Sequence, residues 1–286
     1  MAKVDYKELK SKCFIEQVQK DLFSLRLRLA GGIISTEKLK NVYEIAEKYA
    51  NGYVHLTSRQ SIEIPFIKLE DIDNVKADLA KAGLEPGACG GGVRTITACQ
   101  GNAVCKSGLI DSTKLAMDLD EKYFGKKLPH KFKIGITGCH NNCLKAEEND
   151  LGIKGGIKPK FVEENCIYCG ACESVCRYNA LEVDRVEKTL KYNESNCTMC
   201  GRCVKVCKSK AMLGESGYLV YFGGLFGNRI SIGRQLLPFI LTQSQLNATI
   251  DTTINFFEVN AKSKERLCTT LDRVGWDLLL KELHNA

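Results

Sequence analysis

Twelve of the fifteen cysteines fall into three groups whose spacing is typical of iron–sulfur ligands. Two groups repeat the run C-x2-C-x2-C-x3-C, first at Cys166, Cys169, Cys172 and Cys176 and again at Cys197, Cys200, Cys203 and Cys207. Four thiolates at this spacing hold a [4Fe–4S] cluster, and in paired runs the fourth cysteine of each run ligates the other cluster. The predicted ligand sets are Cys166, Cys169, Cys172 and Cys207 for one cluster, and Cys197, Cys200, Cys203 and Cys176 for the other.

The third group is split along the chain. Cys99 and Cys105 form C-x5-C, and Cys139 and Cys143 form C-x3-C. Zinc is the alternative ligand for paired cysteines, although zinc rarely uses eight of them in this rhythm. The three cysteines outside these patterns are interpreted as small apolar residues: Cys13, Cys89 and Cys268.

Composition indicates a globular protein that handles anions. The chain carries 41 basic and 34 acidic residues, a net charge of +7, but no basic run interleaved with aromatic residues, so nucleic acid is not expected as a partner. No apolar run reaches the length of a membrane span. Many cysteines without a secretory signal favour thiolate–metal chemistry in a reducing cytosol over disulfides. We therefore expect a cytoplasmic protein whose positive charge serves clusters, an acidic cofactor or an anionic substrate.

Periodicity predicts an α+β fold. In the first part of the chain it predicts strands at 23–29, 53–57 and 62–66, a helix from Ser35 to about residue 50, and a helix over 70–82. The expected buried positions are Ile62, Ile64 and Phe66 on a strand and Ile72, Val75 and Leu79 on a helix. Further on we predict helices at 112–124, 242–257 and 261–283, strands at 132–137 and 217–224, and a Gly/Lys/Pro stretch at 152–160. Residues 161–212, which contain the repeated cysteine runs, then form an insertion in a larger domain.

The split cysteines resemble the sirohaem–[4Fe–4S] signature of sulfite and nitrite reductases. That resemblance implies a third cluster on Cys99, Cys105, Cys139 and Cys143, with Cys143 shared between cluster and sirohaem. Other matching segments imply a pocket of catalytic basic residues, Arg59, Arg94, Lys131 and Lys133, of which the two arginines also meet the cofactor, and Asn141 beside the cluster. A basic residue on a strand usually faces solvent, but placement in three family-like segments favours the pocket.

The resemblance also implies a fold and an activity. The fold is a ferredoxin-like sirohaem module with an inserted 2[4Fe–4S] ferredoxin, divided into a half-domain (1–67), a sirohaem/[4Fe–4S] domain (68–160), the ferredoxin (161–212) and a C-terminal return (213–286). The activity is six-electron reduction of sulfite to sulfide in an anaerobic enzyme. The alternatives are nitrite reduction, a sirohaem module with a vestigial site, and an electron-transfer polyferredoxin without catalysis.

The size of the chain and its motifs also predict partners. One copy of a module that larger family members carry twice predicts a homodimer, or a higher homo-oligomer, in which each site joins the cysteines of one subunit to the basic residues of its mate. Participation in a hetero-complex is the further alternative. The expected electron donor is external and of low potential, either a ferredoxin or a partner flavoprotein, because the sequence shows no convincing nucleotide-binding motif.

Overall fold

The first unit is a four-stranded antiparallel sheet covered by helices. The computed structural model describes residues 5–285. The elements of this unit are α1 (Tyr6–Ser11), β1 (Phe14–Glu16), β2 (Leu22–Arg26), α2 (Thr36–Tyr49), β3 (His55–Leu56), β4 (Ile62–Lys68) and α3 (Ile72–Lys81). The strand order is β1-β2-β4-β3. Its core includes Ile72, Val75 and Leu79 of α3 and extends to Leu84.

Local signals predicted the two long helices of this unit well. The Ser35 hydroxyl caps α2 by accepting a hydrogen bond from the Lys38 N–H, and the Ile72, Val75 and Leu79 side chains of α3 are buried, as expected. One strand prediction was wrong at its end. Phe66 has φ +64°, and the β2–β4 register shifts nearby, so Ile67 rather than Phe66 lies in the core. A bulge of this kind moves later side chains to the opposite face of the strand.

The second unit is built on a five-stranded sheet. In chain order it comprises β5 (Gly92–Val93), β6 (Thr97–Ala98), α4 (Ser112–Tyr123), β7 (Lys131–Phe132), β8 (Ile134–Thr137), β9 (Leu151–Phe161), α5 (Ala171–Ser174), β10 (Leu181–Asp184), β11 (Thr189–Tyr192), α6 (Arg202–Val206), β12 (Met212–Phe222), β13 (Arg234–Gln235), α7 (Gln243–Asn260), α8 (Leu267–Val274) and α9 (Trp276–His284). The sheet order is β13-β12-β9-β8-β6, and β6, β8 and β9 are parallel. Helices α4, α7, α8 and α9 share its core.

Three predicted elements differ in the structure. The strand expected at 132–137 is divided into β7, which pairs with β5, and β8, which joins the large sheet. The Gly/Lys/Pro stretch at 152–160, for which we predicted no strand, belongs to the long strand β9. At Gly152 and Gly155, neighbouring backbone carbonyls leave no room for a side chain. The last helix is broken into α8 and α9 at Gly275, where φ is +101°.

The repeated cysteine runs lie between two long paired strands. β9 and β12 pair antiparallel from Leu151↔Phe222 to Phe161↔Met212, so residues 162–211 leave the sheet and return to it at the same end. Within this excursion, the β10–β11 hairpin and helices α5 and α6 surround a small core of their own. This arrangement gives structural support to the proposed insertion.

Two of the three unassigned cysteines are not ordinary apolar residues. Cys13 and Cys89 form a disulfide with Cα atoms 5.2 Å apart, although they are 76 residues apart in sequence. The prediction that they are ordinary small apolar residues was therefore wrong, and so, for this pair, was the expectation that cysteines serve metal chemistry rather than disulfides. Long-range packing, which the sequence does not show, brings the two together. Cys268 is free and buried, as predicted. Among residues 5–285 no helix is long and apolar enough to cross a membrane.

Candidate functional site

The split cysteines gather where two parallel strands end. Cys99 follows β6 and Cys139 follows β8, and these strands pair directly with each other. The Gly138 N–H donates to the Cys99 sulfur at 3.0 Å. Burial raises the pKa of the Cys139 thiol, and the neighbouring sulfurs of Cys99, Cys143 and Cys105 raise it further. The fold therefore brings all four sulfurs of the split group into one neighbourhood.

The repeated runs surround two small cavities, each with four sulfurs. One cavity is lined by Cys166, Cys169, Cys172 and Cys207; the other is lined by Cys176, Cys197, Cys200 and Cys203. Each cavity thus takes its fourth cysteine from the other run, which is the predicted exchange of ligands. Among residues 5–285 no three Cys, His, Asp or Glu side chains converge on a single ion. A cubane is larger than one ion, so its ligands surround a cavity.

Buried polar atoms offer an independent test of whether clusters fit. In the described part of the chain, three buried side-chain polar atoms lack a hydrogen-bond partner: Thr137 Oγ1, His140 Nδ1 and Thr198 Oγ1. Each lies within two residues of a predicted cluster ligand, and Thr198 lines the second cavity. Unpaired buried polar groups are costly, and sulfide or thiolate sulfur would accept hydrogen bonds from such donors. The residues present therefore fit iron–sulfur clusters.

An open cavity of about 400 Å³ is lined by the predicted basic residues. Arg59, Arg94, Lys131 and Lys133 all line it. Arg26 and His55 also contribute, while the only carboxylate among its lining residues within 5–285, Glu63, is paired with Arg26. The three segments that carry the four basic residues are far apart in sequence, so their convergence is a property of the fold. The cavity is strongly cationic and suits an anion or a cofactor with several carboxylates.

Arg59 is held at the junction of the two units. Its guanidinium donates to Asn149 Oδ1 at 3.2 Å and to the Thr95 carbonyl at 3.0 Å. Burial lowers the pKa of Arg59 to about 10, and the charges of Arg94 and Arg266 act in the same direction. Nearby, the Gln60 amide exchanges two hydrogen bonds with the backbone of Ala98, one residue before Cys99. The half-domain thus contacts the strand that carries the first cluster ligand.

Arg94 is hydrogen-bonded to the glycine-rich loop that precedes it, residues 87–92. Its guanidinium donates to the carbonyls of Ala88 and, at 2.8 Å, Gly90. Burial lowers the pKa of Arg94, and the charges of Arg26 and Arg266 lower it further. Two of the guanidinium nitrogens of Arg94 are therefore already hydrogen-bonded to the loop.

Lys131 begins β7, and Lys133 is the residue between β7 and β8. Both line the cavity, as predicted from alternation along an extended segment. Burial lowers the pKa of Lys133 to about 8, with Arg59 and Arg266 next in effect, and burial also lowers the pKa of Lys131. An ammonium group with a pKa near 8 is mostly charged at neutral pH and transfers its proton readily.

A buried ion pair lies next to the basic residues that line the cavity. We call these residues, Arg59, Arg94, Lys131 and Lys133, the cationic wall. Asp150 is fully buried and accepts hydrogen bonds from Arg266 Nε at 3.0 Å, from Arg266 Nη2 at 2.6 Å and from the Lys133 N–H at 2.8 Å. Asp150 therefore joins the start of α8 to the segment that carries the lysines. Sequence reasoning missed this pair because nothing in the local pattern around either residue distinguishes it from a surface charge.

The predicted residue Asn141 lies between the split cysteines. Asn141 is exposed, and its backbone lowers the pKa of the Cys139 thiol. Among the described residues that line the basic cavity there is no cysteine of the split group. The cysteines of the split group therefore do not line the basic cavity of their own chain.

Comparison with known proteins places this geometry in a family. Residues 15–82 match the nitrite/sulfite reductase ferredoxin-like half domain, and residues 89–286 match the nitrite and sulphite reductase 4Fe-4S domain. Together the two matches cover nearly the whole chain. The fold expectation of an α+β nitrite/sulfite reductase module is confirmed at this level.

Curated relatives and solved structures agree with these matches. The chain is 37% identical over 255 residues to the coenzyme F420-dependent sulfite reductase of Methanocaldococcus jannaschii, covering 88% of this chain and 40% of that protein. It is 37% identical over 171 residues to one of the subunits of the anaerobic sulfite reductase of Salmonella typhimurium, covering 55% and 50%. This chain thus matches half or less of the length of these relatives.

Two solved structures share the fold. Dissimilatory sulfite reductase I aligns with a TM-score of 0.74 at 20% identity, covering 92% of this chain and 69% of that one. The Mycobacterium tuberculosis NirA protein aligns with a TM-score of 0.67 at 16% identity, covering 99% and 48%. With domain matches over both units and this shared fold, the chain belongs to the nitrite and sulfite reductase family.

Proposed function

We propose that this chain reduces sulfite to sulfide in a six-electron reaction, with sirohaem and three [4Fe–4S] clusters as cofactors. The observation that carries the proposal is the convergence of Arg59, Arg94, Lys131 and Lys133 on one open cavity. Relatives that are named sulfite reductases, at 37% identity, support sulfite as the substrate. Nitrite has a similar charge and also needs several electrons, so it is the competing substrate to be measured.

The basic residues would bind the oxyanion and supply protons. Arginine presents a planar fork of donors to an oxyanion, whereas lysine is a compact charge that also transfers protons. Cations around the anion stabilise its binding and the loss of its oxygen atoms as water. Lys133 is suited to proton donation, because its pKa of about 8 leaves it protonated but acidic near neutral pH.

The cysteines and arginines would hold the cofactors. Sirohaem would supply the iron that binds sulfite, and Cys143 would be the thiolate it shares with the cluster of the split group. Arg59 and Arg94, which line the cavity, would also pair with carboxylates of that cofactor. Asn141 would keep its backbone N–H directed at a cluster thiolate.

The position of the two small cavities supports an order for electron transfer. Ile157 on β9 pairs with Cys200 of the second cavity. Two residues earlier, Gly155 lies so close to Gly138 that an added Cβ would be 2.5 Å from the Gly138 carbonyl oxygen. Gly138 precedes Cys139, so β9 touches both the second cavity and the split group. Electrons from an external low-potential ferredoxin or flavoprotein would enter at the first cavity and leave from the second.

The separation of basic cavity and split cysteines supports a site shared between two subunits. In this proposal each site pairs the cysteines of one subunit with the basic cavity of its mate, and a homodimer contains two equal sites. The chain would carry out this reaction in the cytoplasm, either as this homodimer or within a larger complex.

Replacing Lys133 tests the proposed role of the cavity. We expect Lys133→Ala to lower sulfite turnover about 100-fold, because the proton donor is lost. Wild-type turnover should fall as pH rises through about 8, the pKa of Lys133. Lys133→Arg keeps the charge but releases no proton in this range, so its turnover should stay low at every pH. The measurement is sulfide formation by the cofactor-loaded full-length chain with a reduced viologen as donor, repeated with nitrite at low concentration.

The matched control is Lys40→Ala, since Lys40 lies on the exposed face of α2, where its ammonium is 3.8 Å from a Glu44 carboxylate oxygen. It should leave turnover unchanged. Turnover in Lys133→Ala equal to that of the control would remove Lys133 from the mechanism.

A further inference from the structure

The Cys13–Cys89 disulfide lies in the wall of the basic cavity. Both cysteines line the cavity together with Arg59, Arg94 and Lys131. Neither belongs to a predicted cluster ligand set, and Cys13 precedes the first family match, which begins at residue 15. The disulfide therefore joins the two units beside the site in which an anion would bind.

We propose that this disulfide reacts reversibly with sulfite and that Cys89 is the sulfur attacked. That the anion is sulfite rests on the proposed function, whereas the position of the disulfide in the cavity wall does not. Cys13 is only 2% exposed, whereas Cys89 is partly exposed to the cavity. Of the two cysteines, the more exposed Cys89 is therefore the one that an anion held by the basic residues would reach more readily.

The reaction is a nucleophilic exchange at the disulfide, with sulfite in the place of a thiolate, and it needs no external oxidant. The sulfur lone pair of sulfite forms a bond to Cys89 Sγ, the bond between Cys89 and Cys13 breaks, and Cys13 leaves as a thiolate. The products are an S-sulfonate on Cys89 and a free Cys13. Attack by Cys13 on the S-sulfonate reverses the reaction and releases sulfite. The surrounding basic residues attract the sulfite dianion, and they also stabilise the Cys13 thiolate that leaves.

Opening the disulfide would change the cavity itself, because of how Arg94 is held. Its guanidinium donates to the carbonyls of Ala88 and Gly90, the two residues on either side of Cys89. The loop is fixed on its other side by the Gly87 N–H, which donates to the Arg26 carbonyl at 2.8 Å. Once Cys89 is released from Cys13, these carbonyls are free to move away from Arg94. Its donors then become available to an anion in the cavity.

The test uses the full-length chain with sulfite but without an electron donor, so that no sulfite is reduced. Samples before and after sulfite are treated with a thiol alkylating reagent and analysed by peptide mass spectrometry. We expect the disulfide before sulfite; afterwards we expect one added SO₃ group on Cys89 and an alkylated Cys13. Sulfitolysis should be at least about tenfold faster than that of oxidised glutathione, because the cavity concentrates the anion.

Three controls make the outcome specific. Sulfate, an anion without a nucleophilic sulfur, should give no adduct, and Cys89→Ser should abolish the modification. The free, buried Cys268 should stay unmodified by sulfite. Two free thiols before sulfite, an adduct on Cys13, or a rate no higher than that of oxidised glutathione would overturn the proposal.

The result is independent of the proposed enzymatic activity, since sulfitolysis consumes no electrons. Sulfite turnover without modification of Cys89 would overturn this inference alone. Modification of Cys89 in a cofactor-loaded chain that cannot reduce sulfite would overturn the proposed function alone.

Discussion

Asp150→Ala is expected to lower the free energy of unfolding by about 3–5 kcal/mol. The carboxylate is fully buried and is the partner of Arg266, which is itself only 7% exposed. Removing it leaves a buried guanidinium without its counter-charge and deprives the Lys133 N–H of its acceptor. The unpaired positive charge of Arg266 also increases the repulsion among the basic residues of the cationic wall. We therefore expect the pKa of Lys133 to fall further and the alkaline limit of turnover to move to lower pH.

Denaturant unfolding of the cofactor-loaded chain, performed anaerobically, measures this loss. Asp118→Ala is the matched control, because Asp118 forms an exposed i,i+4 pair with Lys114. Such a pair contributes at most about 1 kcal/mol. The double variant Asp150→Ala/Arg266→Met should regain part of the stability, since it removes the unpaired charge. A loss in Asp150→Ala no larger than in the control would contradict this account of the ion pair.

Two inactive variants are expected to restore activity when their subunits are mixed. Arg59→Ala damages the basic cavity and Cys143→Ser damages the cluster side, so each homodimer should lose nearly all turnover. In a heterodimer one site combines the intact cysteines of one subunit with the intact cavity of the other. Random exchange makes half of the dimers mixed, with one working site in two, so about one quarter of wild-type turnover should return.

The control for this experiment mixes Arg59→Ala with Lys133→Ala. Both changes lie in the basic cavity, so every site in every mixed dimer has a defective cavity and turnover should stay low. Sedimentation must show that exchange has occurred. Mixed dimers without regained turnover, or a monomer with full activity, would show that each chain holds a complete site.

Much of the candidate site could be predicted from sequence because its signals are local. The cysteine runs identify their own partners by spacing, and the structure places four sulfurs around each cavity in that pattern. The basic residues came from family-like segments, and their convergence supports that assignment without testing their roles. The division of the chain at residues 67, 160 and 212 likewise stays a prediction.

What the sequence did not reveal depends on contacts between distant segments. The Asp150–Arg266 pair joins residues 116 positions apart, and Cys13–Cys89 joins residues 76 apart. The local sequence around a single carboxylate or cysteine is the same whether the residue lies at the surface, in the core or in a cavity wall. The misplaced Phe66 has a different cause: apolar alternation indicates a strand but does not reveal a bulge within it.

The visible absorption spectrum of the cofactor-loaded chain, recorded anaerobically before and after reduction in the presence of sulfite, shows whether this chain binds sirohaem and whether sulfite reaches it. We expect tetrapyrrole bands that shift when sulfite is added, above the broad absorption of iron–sulfur clusters. Iron–sulfur absorption alone, with no extractable tetrapyrrole, would contradict it. That result would make the chain an electron carrier rather than the site of sulfite reduction.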